Sequence, residues 1–455
     1  MEGKIIALAF SMLILLQAWM LRRHSGTWII PGCIFGIFWF LYTFIPLAVL
    51  WDIPVNPAGT AYILFACVVF SASGYLFRWK EVFDLRPGLY EPECYNNSFL
   101  RLCFYVGSSL TIICLLIDLG VQGVTFEAAI TKPLTIANEM IAKRYSNTLQ
   151  PNVYAQLSFV LQYPSAVLGG LVFASCRRGT MHSLLLLGLI FLPSVLAMLL
   201  QGAKGNLFLV MVMFWASTLF CKVMRGDLSL ITLREIRRIV PYGILVVSFI
   251  VASFLARGLS DLSGDELERQ LTRLFASYAA AHIYAFSDWF AYYLGQGGAF
   301  QYRDNLGQYG FYTFMAFAKL LGETGHVPDG VYTEYFVYQN VVQTNIYTMF
   351  RGLIIDFGLW GGFLVLFIAG VGLHISYYLM LRLRRPAWTV SFFVHSIGFF
   401  YSSFIISLFI WSSVVASVLI TAALLMFNKF YVVWRLRSYD LPKEVARLDK
   451  FHLDE

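Results

Sequence analysis

Three short segments of the sequence combine charged side chains with glycines, amides or hydroxyls at the ends of apolar runs. The first is the turn Gln201-Gly202-Ala203-Lys204-Gly205-Asn206. Glycines allow the backbone to approach a ligand closely, and the ammonium of Lys204 is a point charge suited to phosphate. A simple turn whose lysine reaches toward water explains this segment equally well.

The second segment begins with Arg257-Gly258, where another apolar run ends. Arg269 and Arg273 follow at helical spacing, and a shorter polar stretch upstream holds Arg144. An arginine fork matches two oxygens of a phosphate, so these residues predict further cations for an anionic ligand. The alternative is that they anchor the chain at a membrane surface.

The third segment lies at 343–362, where the next apolar run begins. Arg351 and Asp356 fall inside that run, and ionisable residues within a membrane span are costly and usually functional. An ion pair between them is the simpler interpretation. The same segment offers further polar side chains to a substrate, namely Asn345, Tyr347 and Thr348.

Composition indicates which kind of fold must position these segments. Hydrophobic residues make up 59% of the 455 residues, charged residues make up 13%, and the mean hydropathy is +0.69. A soluble domain carries about 25% charged residues, so this chain has too few to cover a water-exposed surface. We therefore predict a membrane protein, and we assign the net charge of +7 to membrane topology rather than to nucleic-acid binding.

Apolar runs long enough to cross a bilayer recur along the chain. Each run must be helical, because lipid offers no hydrogen-bond partners to the backbone. We predict an all-α polytopic membrane protein with about eleven transmembrane helices. The predicted spans are 5–21, 28–50, 59–77, 99–118, 155–175, 183–200, 207–220, 240–256, 350–381, 389–408 and 411–433.

Lysines and arginines are concentrated in every second connection between these spans, from Arg22-Arg23 to Arg384-Arg385. Basic connections stay in the cytoplasm, so the N-terminus is predicted outside and the C-terminus inside. Residues 1–256 then hold the first eight spans, with a shorter outer loop at 120–154. Residues 257–346 form a long outer loop with amphipathic helices that would cap an active site, and residues 347–455 hold the last three spans and a basic cytoplasmic tail.

Motifs of soluble enzymes are absent from the sequence: it has no nucleotide-binding loop, no dinucleotide fingerprint, no zinc-protease motif and no nucleophile elbow. None of the seven cysteines lies in the segments predicted outside, which argues against a disulfide framework and a Cys/His metal site there. We expect neither a metal nor another cofactor. Because ATP is not available outside the membrane, an outward-facing enzyme would use substrates activated on a lipid carrier.

The order of these segments resembles the Wzy-type oligosaccharide repeat-unit polymerases, which make O-antigen and enterobacterial common antigen. The turn from Gly202 to Gly205 resembles the Gly-x-Arg/Lys-Gly element of that family, and Arg257 resembles the arginine that opens its long outer loop. Further similar stretches are 278–288, 307–314 and the Asn-x-Tyr-Thr and Asp-Phe-Gly elements within 345–358.

The resemblance implies a metal-independent membrane glycosyltransferase at the periplasmic face of a bacterial inner membrane. It would transfer a growing glycan from undecaprenyl diphosphate onto the sugar of a new lipid-linked repeat unit. Its expected partners are these lipid-linked oligosaccharides, membrane lipids, a flippase and a chain-length regulator. The residues that would hold the diphosphate are Lys204, Arg257, Arg351 and Arg144. The candidates for the base that takes the acceptor proton are His326 and Glu334, and Asp288 and Asp261 remain open as alternatives. The other substrate-binding residues would be Asn345, Tyr347, Thr348, Asp356, Arg273 and Tyr335.

Two rival functions remain open on the sequence. O-antigen ligases usually carry a His-Asn pair where this chain has Thr344-Asn345, which favours the polymerase. A flippase or another transporter should scatter charges along its spans, whereas here they are concentrated at the outer rim. His282 is expected to be a packed core histidine. The many aromatic residues of the long loop suit stacking on sugars and an interfacial aromatic belt equally well.

Overall fold

A computed structural model of the chain describes residues 1–89, 91, 94–146, 148–175, 180–255, 259, 264–296, 302, 309–322 and 332–451. Within these ranges the chain is almost entirely helical. The helices are α1 Glu2–Ser25, α2 Pro31–Val49, α3 Pro57–Ala72, α4 Trp79–Leu89, α5 Ser98–Val121, α6 Phe126–Thr131, α7 Pro133–Tyr145, α8 Val153–Ser175, α9 Thr180–Gln201, α10 Lys204–Met224, α11 Leu233–Phe254, α12 Gly264–Ala279, α13 His282–Tyr293, α14 Phe311–Leu320, α15 Thr348–Arg382, α16 Trp388–Ser402 and α17 Ser412–Phe451. The antiparallel strands β1 Phe336–Tyr338 and β2 Val342–Thr344 form a hairpin before α15.

Nine helices of the described ranges are long and apolar enough to cross a membrane, which confirms the prediction of an all-α polytopic membrane protein. They are α1, α2, α3 with the 3-10 turn that follows it, α5, α8, α9, α10, α15 and α17. Two predicted spans fall short of that length. In α11 only Ile239–Phe254 is apolar, and α16 has 15 residues, which is about 22 Å against a hydrocarbon core of about 30 Å.

Contacts between the connections assign them to two ends of the helical bundle. At the first end, the Lys4 ammonium donates hydrogen bonds to the Leu50 carbonyl and to the Tyr284 hydroxyl. This contact joins the N-terminus to the α2–α3 connection and to α13. At the second end, the Thr27 hydroxyl donates to the Leu228 carbonyl at 3.0 Å, which joins the α1–α2 and α10–α11 connections. These contacts group the N-terminus with the α2–α3 connection, and the α1–α2 connection with the α10–α11 connection.

Contacts near their ends join the two short helices to neighbouring helices. Glu235, near the start of α11, pairs with Lys222 at 3.0 Å at the second end. Phe254, at the far end of α11, packs against Tyr278 of α12. The carbonyl of Ser403, just after α16, accepts a hydrogen bond from the Met349 amide at 2.9 Å, at the start of α15.

Local sequence explains several helix boundaries. Proline is the first residue of α2 and of α3, where its fixed φ suits a helix and its missing N–H is not needed. The side chain of Asn56 caps α3 by accepting a hydrogen bond from the Ala58 amide at 2.9 Å. Thr232 and Glu235 form a reciprocal capping box at the start of α11.

The helix α15 is interrupted at Gly358, which has φ 70° and ψ 180°. A Cβ atom on Gly362 would lie 3.7 Å from the Cβ of Leu353, although these residues would be about 13 Å apart along a straight helix. The first section, 348–357, therefore folds back against the start of the second. This corrects the prediction of one continuous span over 350–381, because Arg351 and Asp356 lie in the folded-back section.

A close contact between α3 and α15 gives the first testable prediction. A Cβ atom on Gly370 would overlap the Phe70 carbonyl of α3, so Gly370→Ala should lower the free energy of unfolding by about 1–3 kcal/mol. Gly372→Ala is the matched control, since a Cβ atom there meets nothing within 4 Å. Thermal unfolding of the purified protein in detergent measures both variants, and equal midpoints would contradict this packing.

Candidate functional site

Arg351 lies in a cage of aromatic rings in the folded-back section of α15. The side chain of Arg351 is fully buried. Its guanidinium carbon is 4.0 Å from the ring centroid of Tyr332 and 4.3 Å from that of Tyr347. The rings of Tyr302 and Trp289 follow at 5.2 and 5.5 Å. Each ring face attracts a cation, and the attraction is stronger where water is excluded.

Arg351 pairs with the carboxylate of Glu334. The simpler interpretation of the sequence, an ion pair between Arg351 and Asp356, was therefore wrong about the partner. One guanidinium nitrogen, Nη2, donates to Glu334 Oε2 at 3.3 Å. The Glu334 side chain is 24% exposed, so this carboxylate connects a buried cation with the surface. The Tyr347 hydroxyl donates to the Glu334 carbonyl at 3.2 Å. Burial raises the pKa of Tyr347 to about 12, so the phenol is neutral at physiological pH.

Two other predicted substrate-binding residues lie beside the cage. The Asn345 amide donates to the carbonyl of Tyr332 at 3.2 Å and so holds one wall of the cage. Thr348 is fully buried, and its hydroxyl accepts a hydrogen bond from the Phe350 amide. The backbone of Thr348 has φ 69°, a conformation that β-branched residues rarely adopt. The chain is therefore strained where it enters α15.

Asp356 binds the start of α14. Its carboxylate accepts hydrogen bonds from the Tyr312 amide at 3.1 Å and from the Thr313 hydroxyl at 2.6 Å. A carboxylate at a helix N-terminus satisfies free N–H groups and faces the positive end of the helix dipole. Asp356 thus joins two of the stretches that carry the resemblance, 307–314 and 345–358.

Lys204 is the first residue of α10, directly after the turn that the sequence singled out. Gly202 in that turn has φ 67°, which explains why a glycine stands there. The Lys204 ammonium lies 3.1 Å from the ring centroid of Phe254 and 5.6 Å from that of Tyr278. It therefore lies against rings at the end of α11 and near the end of α12.

The helix α12 connects the Lys204 turn with the segment that leads to Arg351. Tyr278 of α12 faces Lys204. On a neighbouring face, the Arg273 guanidinium donates to the side-chain oxygen of Gln343 at 2.8 Å. The Ser277 hydroxyl accepts a hydrogen bond from the backbone N–H of Gln343 at 3.0 Å. Residues four apart lie on one helix face, so one side of α12 holds β2 while the adjoining side packs over α10 and α11.

Three predicted site residues lie wholly or partly outside the described part of the chain. Arg257 and His326 lie outside the described residues, and the same holds for the side chain of Arg144. Tyr335 is described and is 48% exposed, next to Glu334. Its ring is therefore available at the surface beside the cage.

His282 is packed inside the protein, as expected. It is buried between the rings of Tyr42 and Phe404, and its Nε2 lies 2.8 Å from the Tyr42 carbonyl oxygen. Burial lowers the pKa of His282 to about 4, so the imidazole is neutral at physiological pH. Its neutral Nε2–H can then donate to that carbonyl. This contact fastens the start of α13 to α2.

Sequence reasoning missed one buried carboxylate near the Lys204 turn. Asp118, in the last turn of α5, is only 3% exposed. It accepts a hydrogen bond from Gln201, the last residue of α9. A signal was present, since Asp118 stands at the end of an apolar run that contains no other acidic residue from Phe99 onward.

In the described part of the chain, no group of three or more His, Cys, Asp or Glu side chains could hold a metal ion. Known protein families, curated proteins and solved structures give no match to this chain. Its chemistry is therefore inferred from the cage around Arg351, the Lys204 turn and the helix α12 that connects them.

Proposed function

We propose that this protein is a membrane glycosyltransferase that polymerises oligosaccharide repeat units carried on undecaprenyl diphosphate. The observation that carries the proposal is the position of α12. It contacts Lys204 through Tyr278 and the strand before Arg351 through Arg273 and Ser277. Cations that are far apart in sequence are thus brought to one end of the bundle, where the resemblance requires a diphosphate site.

The proposed reaction forms one glycosidic bond and breaks one bond to phosphate. The acceptor hydroxyl oxygen attacks the anomeric carbon of the sugar that links the donor glycan to its diphosphate. The bond between that carbon and the phosphate oxygen breaks, and undecaprenyl diphosphate leaves with the electron pair. Lys204 and Arg351 stabilise the charge that develops on the leaving group.

Glu334 is the proposed base among the described residues. Its carboxylate is partly exposed and lies beside Arg351, so it could take the proton of an acceptor hydroxyl bound at the surface of the cage. The neighbouring ring of Tyr335 and the amide of Asn345 offer a stacking face and a hydrogen-bonding group to the acceptor sugar. His326 is the second proposed base.

The proposed topology has eleven crossings, with the site at the periplasmic face of a bacterial inner membrane. Support comes from the second end of the bundle, which contains Arg22, Lys222, Arg225, Arg382 and Arg385. Basic residues are retained on the cytoplasmic side, so the end with Lys204 and Arg351 would face outward. A flippase would then deliver each new repeat unit to this face, and a chain-length regulator would act on the same product.

The Lys204 turn gives the direct genetic test. In cells that lack the native protein, Lys204→Ala should lower the rate of glycan extension by about 10²-fold, the order expected when one group that stabilises developing negative charge is removed. Lys204→Arg should retain part of the activity because the charge remains.

Glycan length on a gel, at equal membrane levels of each variant, provides the measurement. Lys319→Ala is the matched control, since Lys319 is exposed on α14 in the same outer region. A full ladder from Lys204→Ala would refute the role of Lys204. If the wild-type protein itself restored no ladder, the proposed polymerase activity would fail.

A further inference from the structure

A cluster of neutral amides surrounds the buried carboxylate of Asp118. The Gln201 side chain donates to Asp118 Oδ2 at 2.8 Å. The Asn152 and Gln122 side chains donate to Asp118 Oδ1 at 2.7 and 3.2 Å. We call these four residues the Asp118 cluster. Each of its three amide side chains comes from a different segment: the end of α9, the start of α8 and the end of α5.

The members of the cluster are also bonded to the surrounding backbone. The Gln122 side-chain nitrogen donates to the backbone carbonyl of Gln150 at 2.8 Å, and the Gln122 side-chain oxygen accepts from the backbone N–H of Gln150 at 3.0 Å. The Asn152 side chain accepts from the Ala155 amide at 2.8 Å, which caps α8. The orientations of these two amides are therefore fixed, and each presents an N–H group to Asp118.

Only a group that accepts hydrogen bonds at both oxygens fits this position. A carboxylate accepts at both, whereas an amide accepts at one atom and donates at the other. An asparagine at this position would turn an N–H group either toward Gln201 or toward Asn152 and Gln122. Toward Asn152 and Gln122, whose orientations are fixed, donors would face each other in a buried site, which is costly because they find no acceptor; toward Gln201, the Gln201 amide must turn over to avoid the same conflict.

The cluster determines where the Lys204 turn begins. Gln201 is the last residue of α9 and is 6% exposed. The turn that follows is closed by backbone bonds from Gly202 to Met198 and from Ala203 to Ala197. Lys204 stands three residues after Gln201 and starts α10. A displacement of Gln201 is therefore transmitted to the Lys204 ammonium through a short and rigid connection.

We propose that Asp118 is a positioning residue that holds the Lys204 turn where it can bind the diphosphate of the lipid carrier. This inference rests on the proposed function, because it assigns the diphosphate to Lys204. Asp118 does not touch the substrate. It acts through Gln201, and a displacement of about 1 Å at a binding group can cost about 10²-fold in rate.

The test exchanges the donor and acceptor across one hydrogen bond of the cluster. Asp118→Asn should weaken binding of undecaprenyl diphosphate, measured with the purified protein in nanodiscs, by about tenfold or more, the order expected for a misplaced binding group. The double variant D118N/Q201E should restore most of that affinity. In the double variant, the amide nitrogen introduced by D118N would donate to the carboxylate introduced by Q201E, while the amide oxygen accepts from Asn152 and Gln122.

A second readout does not depend on any ligand. Hydrogen–deuterium exchange of the amides of 198–206 should rise in D118N and return toward the wild-type rate in D118N/Q201E. Asn428→Ala is the control for a general loss of stability, because Asn428 is bonded to Asn97 at 2.7 Å at the opposite end of the bundle. It should lower the melting temperature without changing diphosphate affinity or exchange of the turn.

The outcomes separate the two proposals. Faster exchange in D118N with unchanged diphosphate affinity would overturn the link between Asp118 and ligand binding. Unchanged exchange in D118N would overturn the positioning role itself. If the wild-type protein bound undecaprenyl diphosphate but extended no glycan, the polymerase proposal would fail while the inference on Asp118 would stand.

Discussion

Arg351→Gln should lower the rate of glycan extension by about 10²-fold while the protein still inserts into the membrane. Glutamine keeps a long polar side chain and one donor amide but removes the positive charge. In the wild-type protein the guanidinium of Arg351 is buried among four aromatic rings and paired with Glu334. If this cation stabilises the leaving diphosphate, loss of the charge affects the rate more than the fold.

Arg351→Lys separates charge from shape. Lysine retains the positive charge but lacks the planar group that lies against the rings of Tyr332 and Tyr347. We expect an activity between those of the wild type and Arg351→Gln, about tenfold below the wild type for the loss of a fitted charge contact. Arg382→Lys is the matched control, because Arg382 lies over the ring of Tyr378 at the other end of α15 and is exposed.

Glycan length and membrane level should be measured together for these three variants. A full ladder from Arg351→Gln would contradict the diphosphate role and would leave Arg351 as a structural cation within its cage. If Arg351→Lys and Arg351→Gln lost glycan extension to the same degree, the geometry of the guanidinium would be required and its charge alone would not suffice.

Gly358→Ala should destabilise the protein by about 1–3 kcal/mol and abolish glycan extension. Gly358 has φ 70° and ψ 180°, a combination that is restricted almost entirely to glycine. A Cβ atom at this position meets nothing within 4 Å, so the expected loss arises from backbone conformation and not from a clash. Alanine would favour a straight helix, which would separate Leu353 from Gly362 and move Arg351 and Asp356.

Thermal unfolding in detergent and glycan length in cells measure the two effects of this substitution. Gly188→Ala in α9 is the control, since a Cβ atom there also meets nothing within 4 Å and the glycine has no positive φ. If Gly358→Ala matched this control in both assays, the interruption of α15 would not matter for the site.

The helical architecture could be predicted because hydrophobicity and charge act over whole segments. Nine of the eleven predicted spans are helices long and apolar enough to cross a membrane, and the sidedness indicated by lysine and arginine stays a prediction. The lengths of the helices α11 and α16 were harder to predict. The apolar run 389–408 includes Ser402, Ser403 and Ser407, and there the chain leaves the helix. The first two hydroxyls donate to carbonyls three residues earlier, and the Ser407 hydroxyl donates to the Thr313 carbonyl of α14.

The interruption of α15 could not be predicted from residue types. Gly358 is followed by Gly361 and Gly362, and glycines are common within membrane helices. Only tertiary contacts distinguish them: Gly358 adopts a positive φ, whereas Gly362 allows close approach to the Tyr62 hydroxyl.

The partners of the charged residues also depend on tertiary structure. Arg351 and Asp356 are near in sequence, yet one pairs with Glu334 and the other caps α14. The aromatic residues of the long loop divide in the same way. Trp289 and Tyr302 face Arg351, Tyr278 faces Lys204, and Tyr284 binds Lys4. The density of aromatic residues suited sugar stacking and an interfacial belt equally well, and the separate contacts of these rings require the fold.

Reconstitution of the purified protein tests the central claim most directly. Proteoliposomes would contain the protein and the lipid-linked repeat unit isolated from the cells that make it, with no nucleotide and no added metal. The product would be analysed by mass spectrometry. Our account predicts glycans that grow by whole repeat units, with one undecaprenyl diphosphate released for each bond formed. Repeat units that crossed the bilayer without being linked, or that remained unchanged, would contradict it.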